Sequence, residues 1–433
     1  MPRFVITTTL CALLLGPSLV MAQDKSATPG TPSSLSPMSP GLADPTGPYL
    51  VGTRTYHWVD TKREEVLTGD KDDKRELMVQ IWYPVQKRKK GQPIPKAWCH
   101  TYVPGFETIL PLLQAQYGDY AEQFRTLAVP ARNEAPLLKS PRLLPLVLFS
   151  HGLRTARFYY SSQALELASH GYIVVCPDHS YDVEGIVFPK KRLVRGIFEN
   201  EEAKKAVDAA FKTQDGRIRI WGKDLSFLLD RMLKNKEKGF LFKGRVDTKR
   251  IASMGHCFGG WAALEAGMLD KRIRAVVAQN AWPPSSAVRN KKLNKPILML
   301  YAETDTAEEG LIDKGVPKEQ IQKLKQMYLT EQKKGLERIT KQGIQVRIHG
   351  AKHMSFSDEF LIRDWMSKNP LIAGVILAPD DHLRLALEYA VAFLDQELRG
   401  KKSKLLQQPA DKHEGVDFEN LSEKKSSKKR RRK

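Results

Sequence analysis

The stretch that most constrains this chain is Ile251-Ala-Ser-Met-Gly-His-Cys-Phe-Gly-Gly260. Its apolar run breaks into Gly-x-Cys-x-Gly, which reads as a strand, a sharp turn and a helix with Cys257 at the apex. The flanking glycines suit a strained backbone on which neighbouring Cβ atoms would clash. Such a turn makes Cys257 the candidate nucleophile. Alone the signal is weak, because cysteine is often a small buried hydrophobe, so the assignment rests on what surrounds it.

Around this turn, strand and helix patterns alternate. The apolar runs predict strands at Leu77–Tyr83, Leu144–Phe149, Tyr172–Cys176, Ile251–Met254, Ala275–Gln279, Ile297–Tyr301 and Val346–Ile348. Helical spacing predicts helices at Arg157–His170, Trp221–Leu233 and Leu383–Leu398. The alternation implies an α/β fold, a mostly parallel central sheet with helices on both faces. With 433 residues, 41% of them hydrophobic, the chain can bury one large core.

The ends read differently. Residues 1–22, with Arg3 ahead of an apolar run and Val20-Met-Ala22 at its close, predict a signal peptide and an exported protein, periplasmic or secreted. Residues 23–46 are rich in Ser, Pro, Thr and Gly and are expected to be a disordered linker. The domain is expected over 47–400, with charged insertions near 184–216 and 307–335, the first covering the site. Residues 401–433 carry 12 Lys/Arg against five Asp/Glu and end in Lys-Lys-Arg-Arg-Arg-Lys433. They are expected to form a disordered basic tail drawn to an anionic membrane or envelope surface. Finger spacing and ribonucleoprotein aromatics are missing, so no specific nucleic-acid partner is expected.

Four cysteines do not make a disulfide framework. Cys11 would leave with the signal peptide, and a Cys99–Cys176 bridge stays open. No Cys/His cluster has structural-zinc spacing, and the chemistry read here needs no cofactor.

Attack by sulfur on an acyl carbon needs a thiolate, a base and donors for the oxyanion. His353, in a Gly-preceded turn after the last predicted strand, is the candidate base. His151 and His256 are poorer candidates, since each adjoins a turn whose backbone is needed for donors. The N–H groups of Leu153, after Ser150-His-Gly152, and of Phe258, after the nucleophile, are the expected oxyanion pair. Two residues compete to orient His353. Asn280 and Asp305 each follow a strand near the same sheet edge. A carboxylate would stabilise an imidazolium, whereas an amide can only orient the ring.

Several blocks occur in order: Gly47-Pro-Tyr-Leu-Val-Gly-Thr53, Arg75-Glu-Leu-Met-Val-Gln-Ile-Trp-Tyr-Pro84, Phe149-Ser-His-Gly-Leu153, Leu167-Ala-Ser-His-Gly-Tyr-Ile-Val-Val-Cys-Pro-Asp-His179, Gly255-His-Cys-Phe-Gly-Gly260 and Gly350-Ala-Lys-His353. Together they resemble the platelet-activating-factor acetylhydrolase family of the α/β-hydrolase fold over residues 47 to about 398. The resemblance implies hydrolysis of phospholipid and short-acyl esters. In that family Ser stands where Cys257 is and Asp where Asn280 is. Dienelactone hydrolases, which share the fold, use a Cys nucleophile with the acid at a position like that of Asp305.

The expected function is therefore an exported carboxylic-ester hydrolase acting on a small-molecule, lipid or thioester substrate through a Cys257 acyl-enzyme, with acyl transfer as a variant. The alternative is an inactive hydrolase-fold protein that binds lipid or an envelope partner, with Trp261, Trp282 and Phe356 lining a pocket.

Overall fold

A computed structural model describes residues 41–68, 70, 72–118, 121–197, 214–281, 285, 288, 290, 292–303, 311, 315–358, 376–377, 381–407 and 414–421. The expected signal peptide, residues 23–40 of the expected linker, Trp282, Asp305 and residues 422–433 lie outside them.

The principal strands are β1 (Tyr49–Glu64), β2 (Lys74–Lys87), β3 (Leu144–Ser150), β4 (Ile173–Asp178), β5 (Val246–His256), β6 (Ala275–Gln279), β7 (Ile297–Ala302), β8 (Gly343–Ile348) and β9 (Val416–Asn420). They form one sheet in the order β9-β8-β7-β6-β5-β3-β4-β2-β1, with the short strand Arg132–Asn133 beyond β1. From β8 to β4 every pairing is parallel, while β2 and β9 join antiparallel. β3 is buried at every position, as a strand covered on both sides must be.

Side chains alternate across this sheet with the period of two. Val147, Phe149, Ala252, Met254, Leu298 and Leu300 face one layer, made by α1 (Ser161–Ser169) and α5 (Asp381–Arg399). Leu146, Leu148, Ile251, Val276, Ile297 and Met299 face the other, made by α2 (Gln214–Lys234), α3 (Phe258–Leu269) and α4 (Lys318–Ile339). In α2 the buried stripe Ile218, Trp221, Leu225, Leu228, Leu229, Met232 keeps helical spacing. α3 is buried almost all round.

Three boundaries differ from the sequence reading. Order begins before residue 47: Gly41–Leu42 pairs with Ile376–Leu377, and the Gly47 N–H donates to Ser169 Oγ at 3.0 Å. The charged segment 307–335 contains most of α4, whose Leu336 and Ile339 reach the core, so its described part is a crossover helix with a solvated outer face. The domain does not end at 400. β9 pairs with β8, burying Val416 and Phe418, because a five-residue alternation suffices at an edge strand. In the segment 184–216 the described part is a hairpin, Gly185–Phe188 with Arg192–Arg195, followed by the start of α2. Among the described residues no helix is long and apolar enough to cross a membrane.

Candidate active site

Register brings the strand ends together. Gly255 pairs with Ser150, His256 with Gln279, and Gln279 with Leu300, so the turns after β3, β5, β6 and β7 emerge along one edge. That edge of an open α/β sheet is where ligands bind.

Cys257 sits between β5 and α3 at φ 53°, ψ −123°, a region that costs a non-glycine residue energy. Tight packing holds it there. A Cβ at Gly259 would overlap the Ser150 and His151 carbonyl oxygens, and one at Gly255 would overlap the Gly259 carbonyl. The Cys257 N–H donates to the Gln279 carbonyl at 2.9 Å. Its thiol is half-buried, whereas Cys99 and Cys176 are free and buried, which settles against a Cys99–Cys176 bridge.

Leu153 and Phe258 flank the elbow. Phe258 opens α3, where the first N–H groups have no partner within the helix. Leu153 follows Gly152, at which a Cβ would stand 3.5 Å from the Cys257 Cβ.

β8 leads through Gly350, at φ 73°, to His353, which opens the short turn His353–Phe356. The Asn280 Nδ2 lies 2.5 Å from His353 Nδ1, and its Oδ1 accepts the Ala302 N–H at 3.2 Å. Asn280, just past β6, is at φ 45°, a conformation asparagine tolerates better than most residues. Thus the structure brings Asn280 to His353, while Asp305 is outside the described residues.

His256 joins the two loops. Its Nε2–H donates to the His353 carbonyl at 2.9 Å, and its Nδ1 accepts the Tyr160 hydroxyl at 2.9 Å. Tyr160 in turn accepts the Gly152 N–H at 3.1 Å. Burial, reinforced by neighbouring His353, lowers His256 well below the ordinary histidine range, so it stays neutral. Burial likewise lowers His151, whose Nε2 accepts the His179 N–H at 3.0 Å. Neither ring is positioned as a base.

Sequence reasoning missed a second array beneath β3. The Ser150 hydroxyl donates to His179 Nε2 at 2.9 Å, and His179 Nδ1–H donates to Asp224 at 2.8 Å. Arg75 grips the same carboxylate through Nε at 3.2 Å and Nη2 at 2.7 Å, and pairs with Glu65 at 2.9 Å. Ser150, His179 and Asp224 are sealed from solvent, so this Ser-His-Asp chain supports the turn carrying Leu153. Tyr160 was missed too, since one tyrosine in a helix start carries no motif. Trp261 and Phe356 are buried, Trp261 against Phe258 and Phe356 beside His256, and belong to the core. Among the described residues no group of three His, Cys, Asp or Glu could hold a metal ion.

The strand order, the elbow after β5 and the histidine turn after β8 define an α/β-hydrolase. The model of the family described as platelet-activating factor acetylhydrolase, isoform II, matches residues 38–193, and that of the dienelactone hydrolase family matches residues 160–334. The platelet-activating factor acetylhydrolase of Canis lupus familiaris is 26% identical over 254 residues, covering 54% of this chain and 52% of that protein. Its counterpart from Gallus gallus is 24% identical over 304 residues, covering 64% and 67%. A ferulic acid esterase from Streptomyces cinnamoneus superposes with a TM-score of 0.63 at 26% identity, covering 88% of this chain and 99% of that one. These matches make the chain similar to the platelet-activating factor acetylhydrolases and the dienelactone hydrolases within the α/β-hydrolase fold. The chain spans about half the length of the first curated relatives it matches.

Proposed function

We propose that the protein is a carboxylic-ester hydrolase that works through an acyl-enzyme on Cys257. The observation that carries this reading is the tie between the elbow and the histidine turn: His256, the residue before Cys257, clasps the His353 carbonyl at 2.9 Å, and the Asn280 side chain stands beside the His353 ring. The Cys257 thiol gives its proton to His353, and the sulfur attacks the ester carbonyl carbon. A C–S bond forms as the carbonyl electron pair moves onto oxygen, held by the Leu153 and Phe258 N–H groups. Collapse breaks the C–O bond, and the leaving alkoxide takes the proton from His353. Water then adds to the thioester and releases the acid and the thiol.

The names of the relatives, acetylhydrolases and a ferulic acid esterase, favour a short or compact acyl group on a lipid or small-molecule alcohol. Thioester hydrolysis and acyl transfer to amines or thiols use the same intermediate. Export by residues 1–22 and adsorption of residues 401–433 to an anionic surface complete the proposal.

The test is release of p-nitrophenol from the acetate and butyrate esters by the purified protein and by Cys257→Ala. A burst followed by turnover, abolished in Cys257→Ala, is expected. No Cys257-dependent release would overturn the proposal in favour of a protein that binds lipid or an envelope partner without turnover.

A further inference from the structure

The Asn280 side chain serves two partners. Its own N–H donates to the Leu300 carbonyl at 2.7 Å, the last rung between β6 and β7. Two residues on, the Ala302 N–H points toward the same neighbour, and the turn at Asn280 presents it with Oδ1 in place of a backbone carbonyl. A backbone N–H can only donate, so the amide oxygen of Asn280 belongs there. The amide nitrogen, which also only donates, is left facing His353. A ring nitrogen that receives such a bond carries no proton.

We propose that the Ala302 N–H, acting through the Asn280 amide, locks neutral His353 in the tautomer with its proton on Nε2, which keeps the ring from accepting the Cys257 proton until the amide rotates. The inference rests on the reading of Cys257 and His353 as nucleophile and base. With Nδ1 engaged by Asn280, Nε2 is the one ring nitrogen left for the thiol, and in the locked tautomer its lone pair is occupied by a proton. A doubly protonated ring is opposed as well, since Nδ1–H would meet the Asn280 amide N–H. Half a turn of the amide brings Oδ1 to Nδ1–H and opens the reaction, while setting the amide nitrogen against the Ala302 N–H. A carboxylate at position 280 has two accepting oxygens and satisfies both donors together. Asn280 and the Ala302 N–H are thus positioning groups, and a wrong histidine tautomer is known to cost a hydrolase several powers of ten in rate.

The tautomer is read directly by long-range proton–nitrogen NMR on 15N-histidine-labelled protein above neutral pH, with His353 assigned by its loss in His353→Gln. In the wild type a single form with the proton on Nε2 is expected; a mixture, or a proton on Nδ1, overturns the lock. In Asn280→Asp the proton should move to Nδ1, and the Cys257-dependent burst with p-nitrophenyl acetate at pH 7 should quicken at least tenfold. An unchanged rate after that move overturns the positioning role. If neither protein turns over ester while the proton still moves, the lock stands and the hydrolase reading falls.

Discussion

The imidazole of His179 lies flat on the indole of Trp221, with ring centroids 3.9 Å apart and planes inclined by 10°. Burial lowers His179 to about 4, against the opposing pull of Asp224, so the folded protein keeps it neutral. An unfolded histidine takes up its proton near pH 6.5. Between those values the native state binds fewer protons, so stability rises with pH across the window and is lost as pH falls through it. Urea unfolding should show a loss of about 3 kcal/mol between pH 7 and pH 4 from this group alone. His151 and His256 act in the same direction. A stability independent of pH over that range would contradict the neutral, buried rings.

Asp224 carries the opposite burden. Burial works to raise its carboxyl, yet the guanidiniums of Arg75 and then Arg63 hold it well below the usual carboxylate range. Asp224→Asn leaves the buried Arg75 charge with Glu65 alone among its carboxylate partners. Removing one side of such a pair typically costs about 3–5 kcal/mol. A calorimetric scan should place its melting temperature well below that of the wild type. An unshifted transition would show that the Arg75–Asp224 pair contributes nothing net.

The thiols should separate by reactivity. Burial pushes Cys99 up to about 12 and raises Cys176 further, and both are closed to reagents. Native protein treated with iodoacetamide at pH 8 should therefore carry the label on Cys257 and not on Cys99 or Cys176, as read by peptide mass spectrometry. In 8 M urea the two buried thiols should become labelled.

The edge strand makes a prediction about length. Phe418 stacks on Tyr389 of α5, with centroids 6.1 Å apart, and the Leu421 N–H donates to the Gly343 carbonyl at 2.9 Å. A chain ending at residue 400 loses Val416, Phe418 and Leu421 from the core and exposes the rim of β8. Burial of such side chains contributes roughly 1.5–3 kcal/mol each, so this chain should melt lower and aggregate, whereas one ending at residue 421 should match the full length.

Legibility followed the range of the interaction. The central strands and the elbow were readable because buried parallel strands are apolar throughout and a strained turn needs glycines. The long β1 was not, since one of its faces is half-exposed and its polar residues mask the alternation. β9, Val-Asp-Phe-Glu-Asn, holds two apolar residues amid charged ones, and its partner lies some seventy positions upstream. In the site, local turn signals point to Cys257 and His353, and a place after a strand points equally to Asn280 and Asp305. Ser150, His179 and Asp224 left no such trace. They meet only after β3, β4 and α2 are folded together, and Asp224 sits in a helix whose sequence shows amphipathicity and nothing more.

Because β9 runs antiparallel to β8, with Val416 opposite Ile348 and Asn420 opposite Ile344, Leu421 stands at the sheet edge opposite Cys257. It is also four strand spacings away across the sheet, about 19 Å. An affinity handle, a fluorophore or a solid support joined directly after Leu421 therefore departs from the far edge of the sheet and leaves the mouth of the elbow unencumbered.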